Sequence, residues 1–177
     1  MLNKMIVDPE QGTIDSPLHP DQVEIISSVP EALSQLTRAG YGLAIASNQP
    51  AAAKGKTTRE NLEKVHARVL ELAQRQGGRI LSSHICYHRS EDRCACRKPR
   101  TGLLEEAFQR HASYTRETSW MVGDGVPDMQ AGQSFGLKTA MLAKHKADTA
   151  EILRENNVTP SLWAEDLMDF CHQLLTR

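Results

Sequence analysis

Leu43-Ala44-Ile45-Ala46-Ser47-Asn48-Gln49 is a run of four apolar residues that ends abruptly in three hydrogen-bonding ones. That pattern is a buried strand delivering polar groups at its carboxyl end. Downstream, Thr57 and Glu60 form a capping box, and Leu62, Val65, Val69, Leu72 and Ala73 mark one face of a helix that stops at Gly77-Gly78. Upstream, Ser28-Val29-Pro30-Glu31 opens a helix over 29–39, with Leu33, Leu36 and Ala39 at helical spacing and Gly40 to end it. A buried strand between two amphipathic helices is the unit of a parallel sheet.

The alternation continues in both directions. Met5-Ile6-Val7 runs straight into Asp8 and reads as a buried first strand. Ile80 opens a third strand, Leu103, Leu104, Ala107 and Phe108 mark a helix, and Trp120-Met121-Val122 forms a fourth strand ending at Gly123-Asp124. Met129, Gly132 and Phe135 mark a short helix, Thr139-Ala140-Met141-Leu142 a fifth strand, and Leu167 to Leu175 a terminal helix. The expectation is one α/β domain over residues 1–177, Rossmann-like, with a central parallel sheet, helices on both faces and no separate cap domain. In such sheets ligands bind beyond the carboxyl ends of the strands, where Asp8, Ser47 and Asp124 all stand.

Composition narrows the class. In 177 residues, 40% hydrophobic content supports a core of ordinary size, and 21 Lys and Arg against 22 Asp and Glu leave a net charge of -1. That balance argues against a nucleic-acid coat or a binder of anionic membranes. The N-terminus meets Asp8 before a signal-peptide core forms, and no apolar run approaches the ~18 residues of a membrane span. The sequence reads as a soluble, cytoplasmic monomer acting on a small molecule, with neither nucleic acid nor membrane as partner.

Two groups of residues carry chemistry. Asp8 and Asp124, delivered by separate strands, suit a hard cation such as Mg2+. Ser47 and Asn48 add hydroxyl and amide, and Lys98 adds a fixed positive charge before a helix, which together make the parts of a phosphoryl-transfer site. Separately, Cys86, His88, Cys94 and Cys96 supply three thiolates and one imidazole within the loop 86–96, a closed tetrahedral set for structural Zn2+. His84 reads as a neighbour of that set, not a fifth ligand, and His66 as a flank of its helix. Arg93, Arg97, Lys98 and Arg100 form a cationic rim on the zinc loop. With Tyr87 its sole aromatic, the loop does not read as an RNA-binding knuckle.

Val7-Asp8 with Gly12-Thr13, then Ser47-Asn48-Gln49, Cys96-Arg97-Lys98-Pro99 and Val122-Gly123-Asp124-Gly125-Val126-Pro127-Asp128 resemble, in order, the four motifs of the haloacid dehalogenase superfamily of phosphatases. Asn48-Gln49 and the Cys-x-His and Cys-x-Cys-Arg-Lys-Pro pattern are similar to the D-glycero-D-manno-heptose 1,7-bisphosphate and histidinol-phosphate phosphatases. The resemblance implies Asp8 as a nucleophile that forms an aspartyl-phosphate and ligates Mg2+. It implies Ser47 and Lys98 as holders of the phosphoryl oxygens, Asp124 as a metal ligand supported by Asp128, and Asn48, Gln49 and Arg97 facing substrate. The four zinc ligands agree with the same branch.

The first motif departs from the family's Asp-x-Asp-Gly-Thr. In Asp8-Pro9-Glu10-Gln11-Gly12-Thr13, counting from Asp8 puts Glu10 in the general-acid position and beside the metal, whereas counting back from Gly12-Thr13 puts Gln11 there. A carboxyl group can deliver a proton and an amide cannot. Gln49-Pro50-Ala51-Ala52-Ala53 stands where relatives carry a substrate loop, with Lys54 and Lys56 available to a distal phosphate. The reading is a Mg2+-dependent, zinc-stabilised phosphatase of a small sugar phosphate, heptose bisphosphate first and histidinol phosphate second. A sugar-phosphate-binding relative without turnover is the competing class.

Overall fold

The apolar runs form strands and the amphipathic runs form helices, in an α/β arrangement. The computed structural model describes residues 1–8, 12–143 and 148–176, the side chains of Asp8 and Thr13 excepted. In chain order the strands are β1 (Ile6–Asp8), β2 (Thr13–Asp15), β3 (Leu43–Asn48), β4 (Ile80–Cys86), β5 (Trp120–Gly123), β6 (Lys138–Leu142) and β7 (Leu162–Ala164). The helices are α1 (Val29–Arg38), α2 (Arg59–Ala73), α3 (Gly102–Arg110), α4 (Val126–Phe135), α5 (Thr149–Glu155) and α6 (Leu167–Leu175).

Parallel pairing joins β3 to β4 and runs through β5, β6 and β7. Alternation along β5 sends Met121 to one face and Trp120 and Val122 to the other. Trp120 and Val122 pack with Leu33, Leu36 and Phe170 beneath α1 and α6. The Trp120 and Phe170 rings meet edge-on at 5.7 Å. Met121 packs with Leu104, Ala131 and Phe135 under α3 and α4. Helices thus cover both faces, as the apolar periodicity requires.

Gly132 lets α4 lie close on the sheet: a Cβ there would stand 2.7 Å from Met121 Cβ and from Thr139 Cγ2. Thr58, not Thr57, caps α2, its hydroxyl accepting from Asn61 N at 3.1 Å. Thr57 instead donates its hydroxyl to Leu18 O at 3.0 Å, across the chain.

The first strand corrects the sequence reading. Instead of entering the sheet, β1 pairs, among the described residues, antiparallel with β2 alone, Ile6 opposite Asp15 and Asp8 opposite Thr13. Val7 and Ile14 are each 65% exposed. A three-residue apolar run fixes that a strand forms, not which strand it joins. Gly12 takes φ 62°, where glycine is favoured, and the chain closes locally onto Thr13-Ile14-Asp15. The hairpin is tied down by Lys56 to Asp15 at 2.5 Å, by Lys4 N to Glu24 O at 2.8 Å and by Ile26 N to Leu2 O at 3.0 Å.

Candidate active site and metal centre

Lys98 stands where the carboxyl ends of β3 and β5 come together. Its side chain is 8% exposed, and its ammonium donates to Ala46 O at 2.5 Å and lies 2.6 Å from Asp128 Oδ1. Asn48 fixes the backbone beneath it from both sides, Nδ2 donating to Lys98 O at 3.0 Å and Oδ1 accepting from Lys98 N at 3.1 Å. A cation held by three groups from two elements is positioned before any anion arrives.

Asp128 belongs to the first turn of α4, where its second oxygen accepts from Gly125 N at 3.1 Å. Gly123 makes room for it, because a Cβ there would stand 2.4 Å from Asp128 Cβ. Asp124 follows β5 directly, with a half-exposed carboxylate 3.9 Å from the Met1 amine. Ser47 ends the same strand as Asn48, and its hydroxyl accepts from Gln49 Nε2 at 3.0 Å, leaving its own proton for an anion.

The structure brings together Ser47, Asn48, Gln49, Lys98, Asp124 and Asp128. It gives three of them tasks the sequence did not show: Asn48 fastens Lys98, Gln49 holds Ser47, and Asp128 spends both oxygens on Lys98 and Gly125. Arg97 turns to the zinc loop, Nη1 donating to His88 O at 3.1 Å. Asp8 ends β1, a hairpin strand outside both parallel sheets, so the strand-end position that recommended it as nucleophile and metal ligand is not realised. Glu10 and Gln11, the two candidates for the acid, lie outside the described residues. Lys56 pairs with Asp15 instead of facing the site.

Mg2+ takes oxygen ligands and binds through one or two carboxylates with waters and substrate phosphate. Asp124 fits that requirement, and Asp128 supports it by holding the neighbouring cation.

The four candidate zinc ligands converge from a loop whose ends are braced. Cys86 is the buried last residue of β4, and Arg93 takes φ 48°, in the left-handed region, where the loop turns back toward Cys94 and Cys96. Sulfur separations are 3.6 Å for Cys86 and Cys94, 3.2 Å for Cys86 and Cys96, and 3.5 Å for Cys94 and Cys96. His88 Nδ1 lies 3.5 Å from Cys86 Sγ and 3.4 Å from Cys96 Sγ. Ligands about 2.3 Å from a tetrahedral zinc ion stand roughly 3.7 Å apart, so the four donors fit a closed site with small outward shifts.

Burial pushes the Cys96 thiol up to about 12, and the neighbouring Cys86 and Cys94 add to it. Burial acts to raise Cys94 as well, but the Arg97 backbone N–H and the other two thiols outweigh it and bring Cys94 below the ordinary value. Arg100 braces the loop by donating to Cys94 O at 2.6 Å, and Gly102 N donates to Ala95 O at 3.2 Å. The zinc loop and Lys98 are therefore one rigid connection into α3. His84 stays out of the cluster, with Nε2 3.0 Å from Ser82 Oγ and Nδ1 3.3 Å from Glu106 Oε2.

Strand heads carrying Ser47 and Asp124, with a buried lysine between them, form one polar site at the carboxyl ends of an α/β fold. The profile of the HAD-hydrolase-like family matches residues 95–170, from within the Cys/His loop into the first turn of α6. The chain belongs to the haloacid dehalogenase-like family of phosphoric monoester hydrolases.

Among its relatives is the D-glycero-beta-D-manno-heptose-1,7-bisphosphate 7-phosphatase of Neisseria meningitidis, 34% identical over 152 residues, which are 81% of this chain and 79% of that protein. The histidine biosynthesis bifunctional protein HisB of Legionella pneumophila is 31% identical over 140 residues, 79% of this chain but 39% of its own length. In structure, the D,D-heptose 1,7-bisphosphate phosphatase of B. bronchiseptica, complexed with magnesium and phosphate, superposes with a TM-score of 0.82 at 24% identity, over 99% of this chain and 93% of that one. That likeness is one of fold. No described helix is long and apolar enough to cross a membrane.

Proposed function

We propose that the chain is a Mg2+-dependent phosphatase of a small sugar phosphate, with heptose 1,7-bisphosphate the first candidate and histidinol phosphate the second. The observation that carries this reading is the Lys98 ammonium, 8% exposed and held between Ala46 O and Asp128, in a cavity that Ser47 also lines. A buried cation and a free hydroxyl proton at the strand heads suit a dianionic phosphoryl group. The 34% identity to a heptose bisphosphate phosphatase supports the order of substrates.

In this reading Lys98 and Ser47 bind and orient the phosphoryl oxygens, and their donors strengthen as charge spreads over those oxygens in the transition state. Mg2+, held by Asp124, would neutralise further charge on the transferring group when bound. Asn48 and Asp128 keep Lys98 in place, and zinc on Cys86, His88, Cys94 and Cys96 holds the loop that carries it. The attacking carboxylate, for an aspartyl-phosphate route, has to stand between Ser47 and Asp124. The hairpin position of β1 favours, as a second reading, a module that binds sugar phosphate without releasing phosphate.

Phosphate release from heptose 1,7-bisphosphate and histidinol phosphate, measured side by side with Mg2+, tests the proposal. Faster release from the heptose is expected, and faster release from histidinol phosphate reverses the order. Saturable binding of both without release, lost in Lys98→Met, identifies the binding module. Neither binding nor release overturns both readings.

A further inference from the structure

Two parallel sheets face each other through edges that have no partner strand. In a parallel ladder, alternate residues turn their backbone groups to opposite neighbours. Gln49 N donates to Cys86 O on the β4 side at 2.7 Å, so Ala44, Ala46 and Asn48 turn their N–H and C=O the other way. Lys138 N donates to Ser119 O at 3.1 Å, so Trp120 and Val122 turn theirs away from β6. No ladder joins β3 to β5 among the described residues.

Lys98 touches Ala46 near the carboxyl end of β3 and Asp128 just past that of β5, so the two strands point the same way. Between them lies a cavity of about 800 Å³ walled by every residue of β3 and β5.

Side-chain burial agrees. Along β6, Thr139 to Leu142 are buried, whereas Ala44 is exposed and Trp120 and Val122 are half-buried. On one face Leu43 of β3 borders the same core cluster as Trp120 and Val122 of β5, and on the other Ala46 borders the cluster of Met121, so the two sheets already share both helix-covered faces across the gap. Of the inward-facing groups Ala46 O is met by Lys98 Nζ; buried backbone groups left without a partner cost about as much as lost hydrogen bonds, and an open edge is a template for a strand. Neighbouring strands lie about 4.8 Å apart and rise about 3.3 Å per residue, so an occupant pairing with both edges is one strand of about five or six residues.

We propose that this cavity seats one further β-strand, parallel to β3 and β5 and formed by polypeptide continuous with Met1 on its amino side, which joins the two sheets in the order β4-β3-strand-β5-β6-β7. Direction selects this occupant. Met1, Leu2 and Asn3 border the cavity, and the Met1 amine lies 3.9 Å from Asp124 Oδ2, at the carboxyl end of β5. Chain that reaches Met1 from its amino side leaves the cavity at the end where a parallel strand must leave it.

The β1 strand does not qualify. Leu2 O and Lys4 N are already bonded to Ile26 N and Glu24 O, and Ile6 to Asp8 pair with β2, beyond that exit. With helices on both faces, the occupant is apolar throughout, as strands covered on both sides are. Its last residue emerges beside Ser47, Lys98 and Asp124. On the phosphatase reading, that is where the attacking carboxylate belongs.

Hydrogen exchange tests the strand without reference to turnover. The 177-residue chain is compared with the chain extended through the in-frame codons that precede Met1. The amides of Ala44, Ala46 and Val122 are expected to exchange about 100-fold faster than those of Ala140 and Met141 in the shorter chain, and to slow to the β6 level in the longer one. Slots already protected at the β6 level in the 177-residue chain overturn the proposal, as does protection unchanged by extension or an in-frame stop codon directly before Met1. Protection of the shorter chain that grows with its own concentration assigns the seat to a second copy and overturns the proposal equally. Slowed amides without phosphate release from the extended chain keep the strand and remove the activity; release with unprotected amides does the reverse.

Discussion

Lys98 Nζ lies 2.6 Å from Asp128 Oδ1, and the two side chains are only 8% and 14% exposed. The pair ties the exit of the zinc loop to the first turn of α4. Because Asp128 also accepts from Gly125 N, one carboxylate sets both the position of the lysine and the start of the helix that follows β5. A buried ion pair contributes little net stability relative to apolar residues, but losing one member leaves an uncompensated charge. Its value here is placement of a cation.

Lys98→Met therefore weakens phosphate binding and lowers phosphate release by about 10²–10³-fold, the cost of removing one preorganised donor. It leaves Asp128 buried without its cation, and thermal unfolding is expected to show a loss of about 3–5 kcal/mol. Lys98→Arg does not restore release, since the planar guanidinium cannot meet Ala46 O and Asp128 in the geometry of an ammonium. Full activity in Lys98→Met dismisses the lysine as a phosphate ligand.

Most of the fold is legible where the signal is local. The runs at 43–46, 120–123 and 139–142 are strands because their composition is mostly apolar and bounded by polar residues, whatever their partners; the strand at 80–86 is legible only from Ile80, since Ser82, Ser83 and His84 interrupt it. The Cys/His cluster that could hold zinc is legible for the same reason, all four candidate ligands lying within eleven residues. By contrast, the polar helix Thr149–Glu155 and the short strand Leu162–Ala164 carry too little periodicity to stand out. The tasks of Asn48 and Asp128 are invisible in sequence because each depends on Lys98, 50 residues away from Asn48. The strand at Ile6–Asp8 is legible as a strand, but its partner is chosen by Thr13–Asp15 and the turn at Gly12.

Cys86, His88, Cys94 and Cys96 are expected to hold about one zinc ion per chain, measured by elemental analysis of protein prepared without chelator. Zinc binding is folding free energy for such a loop. Cys94→Ser or Cys96→Ser should then lower the melting temperature and loosen Lys98 through Arg97 and Arg100, which bond to His88 O and Cys94 O. A protein free of zinc, or one whose melting is indifferent to both substitutions, removes the metal from the loop.

His66 gives the pH dependence a definite sign. Burial pushes its imidazole below the ordinary value, and among the described residues its Nε2 has no hydrogen-bond partner. The unfolded chain takes up a proton near pH 6.5 that the folded chain refuses, so the unfolded state binds more protons below that pH. The neutral imidazole's contribution is thus fully present above about pH 6.5 and is lost as pH falls toward the lower folded value. Melting temperatures between pH 7.5 and 5.5 should fall more steeply for the natural chain than for His66→Leu. Parallel curves would show that His66 titrates alike in both states.

Asn48 and Gln49 separate positioning from direct binding. The Asn48 amide grips Lys98 through both its backbone N–H and its C=O, whereas Gln49 touches only the Ser47 hydroxyl. Asn48→Ala removes two hydrogen bonds beneath a buried cation, so release should fall by roughly the factor expected for losing the lysine's own placement, about 10²-fold. Asn48→Asp keeps the acceptor for Lys98 N and sets a carboxylate against Lys98 O, so it is expected to rescue less than half of the lost barrier difference. Gln49→Ala frees Ser47 to rotate and is expected to raise KM several-fold with little change in kcat. Equal effects of Asn48→Ala and Gln49→Ala on kcat would show that Asn48 meets the substrate directly and does not act through Lys98.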